Sequence, residues 1–133
     1  MLELASKYVP EMNTISNDIR EVEFGPNKFD AITATYSLFH IPAKVHAEIF
    51  GKFFDWLRPN GRILFTYATK DYTGSETFSG YKKFIDTELY YSHKSQKELI
   101  CDLEDIGYEI ESAENHCICN ETFLWVTAKK PAN

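Results

Sequence analysis

The sequence lacks the features that define several classes of protein. It has no apolar stretch near the roughly 20 residues that a membrane-spanning helix requires. Basic residues never run beyond two in a row, and 14 Lys and Arg against 20 Asp and Glu give a net charge of −6. Such a chain should repel nucleic acid, because the phosphate backbone is itself negative. We therefore expect no membrane and no nucleic acid among its partners.

Cysteine is also scarce. Three cysteines are too few for a disulfide framework, and polar residues interrupt any signal-peptide pattern at the start, so we expect a cytoplasmic protein. The segment HCIC at 116–119 resembles metal-binding sequences only loosely, since zinc sites need four ligands at wider spacings. We therefore expect no metal site, and we expect Cys117 and Cys119 to be buried thiols on one face of a strand.

What the sequence does contain is an ordinary core with many aromatic side chains. The length of 133 residues predicts a single domain. Hydrophobic residues make up 44% of the sequence and aromatic residues 15%. The aromatic content indicates either a dense core or an aromatic-lined pocket.

Helical and strand patterns alternate along the chain, which is typical of an α/β domain. The strongest helix signals are an apolar stripe ending at Leu57 and an N-cap at Ser95 with Glu98 three residues on and Gly107 at the helix end. In RPNG, Gly61 is the residue expected to take a positive φ. In order, the patterns predict a helix closed by Pro10, a strand over 13–17, a buried strand over 29–41, a helix over 43–57, a turn over 58–61, a strand over 62–68, a helix over 81–89 within a long insertion, a helix over 95–107, and a hairpin over 108–130 joined near 120.

Four segments resemble the class I S-adenosylmethionine-dependent methyltransferases in their order and spacing. They are FDAITATYSLFHI, WLRPNGRILFTYAT, a helix ending DIGYEIES, and FLWVTAKK. The opening MLELASKYVP resembles the helix after that family's second strand, and NDIREVEF resembles the segment after its third. The resemblance implies a Rossmann-like α/β fold, with a mostly parallel sheet and a C-terminal antiparallel hairpin. It also implies S-adenosylmethionine as cofactor.

The family's first strand, Gly-rich turn and ribose-binding acidic residue have no counterpart, and no glycine precedes Gly25. We therefore expect residues 1–133 to be a single, N-terminally truncated methyltransferase-like domain whose cofactor site is incomplete in this chain. Residues 31–36 would then expose an apolar strand edge, which invites pairing with another chain. Three arrangements remain open: a homodimer that completes the sheet, a rearranged strand order, or a complementing subunit.

The resemblance assigns five residues to the cofactor. Asp18 would accept from the adenine amino group and Ile19 would pack on the ring. Tyr36, Ser37 and Leu38 would flank the methionine part and the reacting methyl, at the carboxyl end of a strand. The alternative for Asp18 is a carboxylate that caps a turn or helix.

Four further residues are candidates for the reaction itself. His40 could be the catalytic base, or a hydrogen-bonded structural residue before a helix. Tyr67, Thr69 and Tyr72 follow the next strand and could line an acceptor pocket, or simply pack beneath a loop.

Two functions fit these observations, and a truncated remnant with the fold alone is a third possibility. The first is a methyltransferase that acts on a small-molecule acceptor, which an acidic chain without a basic patch favours. The second is a non-catalytic, methyltransferase-like binding or regulatory subunit.

Overall fold

A computed structural model describes residues 2–132 of the chain, and helices and strands alternate along it. Helices α1–α4 span Leu2–Tyr8, His46–Trp56, Lys70–Thr73 and Gln96–Ile106. Strands β1–β6 span Phe29–Ala34, Leu57–Tyr67, Phe78–Phe84, Thr87–His93, Glu109–Ile118 and Glu121–Lys129. Short 3-10 turns at Leu38–His40 and Ala43–Val45 connect β1 to α2. The α/β class predicted from the sequence is confirmed.

The central sheet of the described residues has four strands in the order β1–β2–β6–β5. β1 and β2 are parallel, whereas β6 is antiparallel to both of its neighbours. Three strands therefore point in one direction and only β6 opposes them. The sheet is mostly but not wholly parallel, and its last two strands form the predicted C-terminal hairpin.

The turn of that hairpin corrects the prediction for the cysteines. Cys119 and Asn120 both have positive φ, 54° and 66°, as the two central residues of a type I′ turn require. Cys119 therefore lies in the turn, while Cys117 lies on β5, an edge strand of the sheet. Both are exposed, as is Cys101. The prediction of buried thiols is wrong because the hairpin end extends beyond the core.

Two predicted elements differ from the structure. Residues 13–17 contain no strand, and the chain there is irregular. The helix predicted over 81–89 is instead part of a separate antiparallel pair, β3–β4, in which Tyr81 lies opposite Tyr90. Half-buried and exposed residues alternate along β3, so the segment has the period of a strand.

The RPNG segment is continuous with β2, and the register with β1 shifts between Phe29 and Ala31. Asn60, with a φ of 69°, takes the left-handed conformation that was expected at Gly61. Position 61 needs a glycine for a different reason: a Cβ there would lie 2.8 Å from the Arg58 carbonyl oxygen, which is too close.

One face of the sheet is covered by α2 and α4. α4 begins and ends as predicted: the Ser95 hydroxyl accepts from the Glu98 N–H at 3.2 Å, and Gly107 has a φ of 125°. Within residues 2–132, no helix combines the length and apolar character needed to cross a membrane. The core between helices and sheet includes Phe50, Phe53, Ile63, Phe65, Leu99, Leu103, Leu124 and Val126.

Candidate functional site

Two cavities flank the segment that follows β1, and the predicted site residues divide between them. The first, here called the β1 groove, has a volume of about 430 Å³ and is lined by β1 and by the last turn of α2. Ile19, Ser37 and Leu38 line it, as three of the five cofactor candidates should. The remaining lining residues are apolar apart from Thr33: Phe24, Phe29, Ala31, Ile32, Ala34, Ile41, Phe53 and Trp56.

The β1 groove suits the apolar part of a nucleoside. Its volume lies within the range of about 300–1,000 Å³ that is common for ligand pockets. Its wall is almost wholly hydrocarbon, so an adenine ring could pack there. Among the described residues no carboxylate lines the groove, so the acidic acceptor that ribose hydroxyls would meet is missing from it. The residues present therefore fit only part of S-adenosylmethionine.

Asp18 does not line the β1 groove, although its neighbour Ile19 does. The side chain of Asp18 is exposed and forms an ion pair with Arg20 at 2.6 Å. Hydrogen bonds from the Arg20 side chain and backbone lower the pKa of Asp18 to about 2. In this arrangement Asp18 organises a local turn, which was the alternative to an adenine contact.

Tyr36 lies between the two cavities and has an unusual backbone. Its φ of 52° is uncommon for a bulky residue, and such conformations cluster at functional sites. The Tyr36 N–H donates to Thr66 Oγ1 on β2, which fixes the segment to the sheet. Its ring stands edge-on to Phe123 and Trp125 and so turns away from the β1 groove.

The second cavity, here called the aromatic pocket, has a volume of about 250 Å³. It lies where the segment after β1 meets β3, β4, β6 and α3. Phe39, Tyr91 and Phe123 are buried and stack on one another with ring centroids 5.1 to 5.6 Å apart, so its floor is rigid. Its lining consists of Tyr36, Phe39, His40, Tyr72, Phe84, Leu89, Tyr91, Glu121 and Phe123.

His40 lines this pocket, and one of its ring nitrogens has no hydrogen-bond partner among the described residues. Its Nδ1 lies 2.8 Å from the Tyr90 carbonyl oxygen, which can only accept, so Nδ1 carries the hydrogen in the neutral ring. Nε2 then keeps a lone pair, and no described residue hydrogen-bonds to it. The ring is positioned as a proton acceptor, and it is also tied to the fold, so both roles expected of His40 are compatible.

Tyr72 also lines the aromatic pocket. Its hydroxyl lies 3.1 Å from that of Tyr91, and its ring packs on Phe123 with centroids 4.6 Å apart. Burial and the hydrogen bond with Tyr91 raise the pKa of Tyr72, so the hydroxyl stays protonated at neutral pH. Of the three acceptor-pocket candidates, Tyr72 is the one that the structure brings to the pocket.

Tyr67 and Thr69 lie outside both cavities. The Tyr67 hydroxyl accepts from the Lys94 N–H at 3.0 Å and donates to His46 Nδ1 at 2.8 Å. His46 Nε2 in turn donates to the Ile41 carbonyl oxygen at 2.7 Å. Burial raises the pKa of Tyr67 and lowers that of His46, so both stay neutral. This network fastens β2 to α2 and to the start of α4, and it is structural.

Thr69 is also buried, and within residues 2–132 its Oγ1 has no hydrogen-bond partner. Its carbonyl oxygen accepts from the N–H groups of Tyr72 and Thr73 and so begins α3. Thr69 thus helps to place Tyr72 without lining the pocket itself.

Sequence reasoning missed the contributions of β4 and β6 to the aromatic pocket. Tyr91 lies in the long insertion, just after the predicted helix over 81–89, so the strand that buries its side chain was not recognised. Phe123 and Glu121 begin the last strand, and the pattern around them showed only a hairpin.

Comparison with known proteins agrees with this architecture. The family model described as "Methyltransferase domain" matches residues 1–61. Over 88 residues the chain is 31% identical to the phosphoethanolamine N-methyltransferase of Plasmodium falciparum, a match that includes 62% of this chain and 33% of that protein. The chain therefore spans about a third of the length of this curated relative.

Solved structures show the same fold at low identity. An S-adenosylmethionine dependent methyltransferase from Mesorhizobium loti has a TM-score of 0.76 and 17% identity, with 97% of this chain and 75% of that chain covered. A second structure is the 1,6-didemethyltoxoflavin-N1-methyltransferase of Burkholderia thailandensis, solved with bound 1,6-didemethyltoxoflavin and S-adenosylhomocysteine. It has a TM-score of 0.71 and 17% identity, and the match covers 98% of this chain and 56% of that chain. The fold is thus the Rossmann-like fold of a methyltransferase domain. The chain is similar in fold to S-adenosylmethionine-dependent methyltransferases, and its first 61 residues match a methyltransferase family model.

Proposed function

We propose that this chain binds S-adenosylmethionine and transfers its methyl group to a small-molecule amine held in the aromatic pocket. The observation that carries the proposal is His40 Nε2, a free lone pair in a rigid aromatic cavity directly after β1. The names of the Plasmodium and Burkholderia relatives both describe methylation at nitrogen, which favours an amine as acceptor.

The β1 groove would hold the adenine ring, with Ile19 and Leu38 in its wall. When bound, S-adenosylmethionine supplies a methyl group on a positively charged sulfur, which is already activated for transfer. The protein's task is then chiefly to align the acceptor and to exclude water. Ser37 and Leu38 line the groove and Tyr36 lines the aromatic pocket, so this segment joins the two binding regions.

His40 would remove the proton that an ammonium acceptor must lose before its nitrogen can attack. Loss of this proton would free the nitrogen lone pair to accept the methyl group that S-adenosylmethionine supplies when bound. The proton moves from the acceptor nitrogen to His40 Nε2, and the hydrogen bond from Nδ1 to Tyr90 stabilises the resulting imidazolium. The aromatic rings around the pocket favour a cationic amine through their electron-rich faces.

Methyl transfer from S-adenosylmethionine to a panel of primary amines, followed by mass spectrometry, tests this function. His40→Gln should lower the rate by about 10²- to 10⁴-fold, since it removes the base. His116→Gln, at an exposed position on β5, should leave the rate unchanged. Full activity of His40→Gln, or methylation of oxygen acceptors alone, would contradict the proposal.

A second candidate function is a methyltransferase-like binding or regulatory subunit, and the open edge of β1 favours it. Within the described residues β1 pairs only with β2, and the apolar β1 groove runs beside the unpaired edge. We propose that a second copy of this chain pairs there, with a complementing subunit as the other outcome. Light scattering of the purified chain distinguishes a dimer from a monomer.

We further propose that residues 1–133 act as a single methyltransferase-like domain in the cytoplasm. The three exposed thiols at Cys101, Cys117 and Cys119 support a reducing compartment, since exposed cysteines oxidise readily in an oxidising one.

A further inference from the structure

We infer that Lys82 binds an anionic group of the acceptor, so that the acceptor is a small zwitterion with its amine in the aromatic pocket. This inference rests on the proposed function, because it takes the aromatic pocket as the acceptor site. It adds a residue and a chemical class that the reaction alone does not require.

Lys82 faces inward on β3. Along this strand Phe78, Lys82 and Phe84 are half-buried, whereas Tyr81 and Lys83 on the opposite face are exposed. The Lys82 ammonium lies 4.6 Å from the centre of the Tyr72 ring. A lysine on the inward face of a strand is unusual, since ammonium groups are strongly hydrated.

Lys82 also lacks a carboxylate partner. Two other partly buried lysines have carboxylate partners: Lys52 pairs with Glu23 at 3.1 Å and Lys94 with Asp102 at 2.6 Å. Lys130 instead donates to backbone carbonyl oxygens of Phe54 and Leu57. Within residues 2–132, no carboxylate oxygen lies within 4.0 Å of the Lys82 ammonium. The Tyr72 ring stabilises the cation in part and leaves its N–H donors available to a ligand.

A third cavity, which Lys82 lines, adjoins the aromatic pocket. It has a volume of about 540 Å³ and is here called the hairpin pocket. Tyr72, Phe84 and Glu121 line both cavities, so they form a common wall. A ligand that extends past this wall would reach the lysine from the aromatic pocket.

The charges along this path are complementary to a zwitterion. Glu121, on the common wall, would attract the ammonium end, and Lys82 with the exposed Lys83 would attract the anionic end. Asp71 also lines the hairpin pocket and offsets part of this positive charge. A single anionic group next to Lys82 is therefore favoured over a densely charged polyanion. A carboxylate and a phosphonate or phosphate share the necessary chemistry.

Four primary amines test which anionic group Lys82 prefers. Ethylamine has none, whereas β-alanine carries a carboxylate, taurine a sulfonate and 2-aminoethylphosphonate a phosphonate. Binding to the purified chain is followed by ligand-observed NMR. At least one anionic probe should bind at least tenfold more tightly than ethylamine. Lys82→Gln should abolish that difference, Lys82→Arg should keep it, and Lys97→Gln on the exposed face of α4 should leave it unchanged. The probe with the largest difference identifies the anionic group.

Equal binding of all four probes, no binding of any, or an unchanged preference in Lys82→Gln would overturn the inference. Thermal unfolding of each variant verifies that the fold is kept. Titration with S-adenosylhomocysteine is run in parallel, so that the two proposals fail separately. If the cofactor product binds and the anionic probes show no preference, only the role of Lys82 is wrong. If the probes show the preference and the cofactor product does not bind, the methyltransferase proposal fails instead.

Discussion

The first 37 residues of the chain and the remainder differ sharply in packing. In the described chain every buried side chain lies at or beyond Leu38, where α2 and α4 cover the sheet. Residues 2–37 contribute none, and β1 has a strand partner on one edge only among the residues described. The family model matches residues 1–61, which include all of the poorly packed part.

This contrast separates the two binding regions. The aromatic pocket is built on buried, stacked rings, so its shape is fixed before any ligand binds. The β1 groove lies against the weakly packed part, and the partner that we propose for the β1 edge would change its shape. The account therefore predicts a preformed acceptor site beside a cofactor site that partner binding tightens.

The contrast predicts a large difference between two truncations of apolar side chains. Phe50→Ala removes a ring that is 1% exposed and should lower the free energy of unfolding by about 3–5 kcal/mol. Ile15→Ala, at a side chain that is 54% exposed, should change it by less than about 0.5 kcal/mol. Urea denaturation measures both, and similar losses would show that the first residues are packed as tightly as the core.

Removing the Tyr67 hydroxyl should have the next largest effect on the free energy of unfolding. Tyr67→Phe leaves the Lys94 N–H and His46 Nδ1 without partners in the core. The expected loss is about 1–3 kcal/mol of unfolding free energy. Tyr81→Phe, at an exposed position, is the matched control and should have no measurable effect. A neutral Tyr67→Phe substitution would mean that the network does not fasten β2 to α2.

Stability should fall as the pH is lowered below the ordinary histidine pKa. Burial lowers the pKa of His46 and of His93 from 6.5, so the unfolded chain binds more protons than the folded chain below that pH. The unfolding free energy should then decrease by up to about 1.4 kcal/mol per pH unit for each histidine. Denaturation curves between pH 7.5 and 5.5 measure this slope. A flat profile would contradict burial of the two neutral rings.

The smallest effect on stability is expected at the β1 edge. Thr33→Lys places a charge in the β1 groove at an exposed position and should change the unfolding free energy of the monomer by less than about 0.5 kcal/mol. It should nevertheless abolish any dimer, because a charge on an edge strand opposes pairing. Light scattering compares it with Thr87→Lys on the exposed part of β4. A dimer that survives Thr33→Lys uses another surface.

The sequence predicted those parts of the fold whose signals are local. Ser95 and Gly107 mark both ends of α4, and the turn near Asn120 follows from its residues. The β3–β4 hairpin was misread because Lys82 and Lys83 break the apolar alternation of a strand. The strand expected over 13–17 was read from a short segment of mixed residues, and none of its side chains is buried in the structure.

The candidate site was predictable only where it follows one strand. Tyr36, Ser37, Leu38 and His40 were found because they come directly after β1. Tyr91 and Phe123 were missed because they reach the pocket through tertiary contacts across more than 50 residues of chain. Tyr67 was assigned to the pocket from its place after β2, yet its side chain points into the core and bonds to His46.

Calorimetric titration of the purified chain with S-adenosylhomocysteine tests the central claim most directly, because it requires no knowledge of the acceptor. The account predicts saturable binding in the micromolar range, since the β1 groove supplies an apolar wall for the nucleoside. Absence of binding at millimolar concentrations would contradict the claim that this chain holds the cofactor.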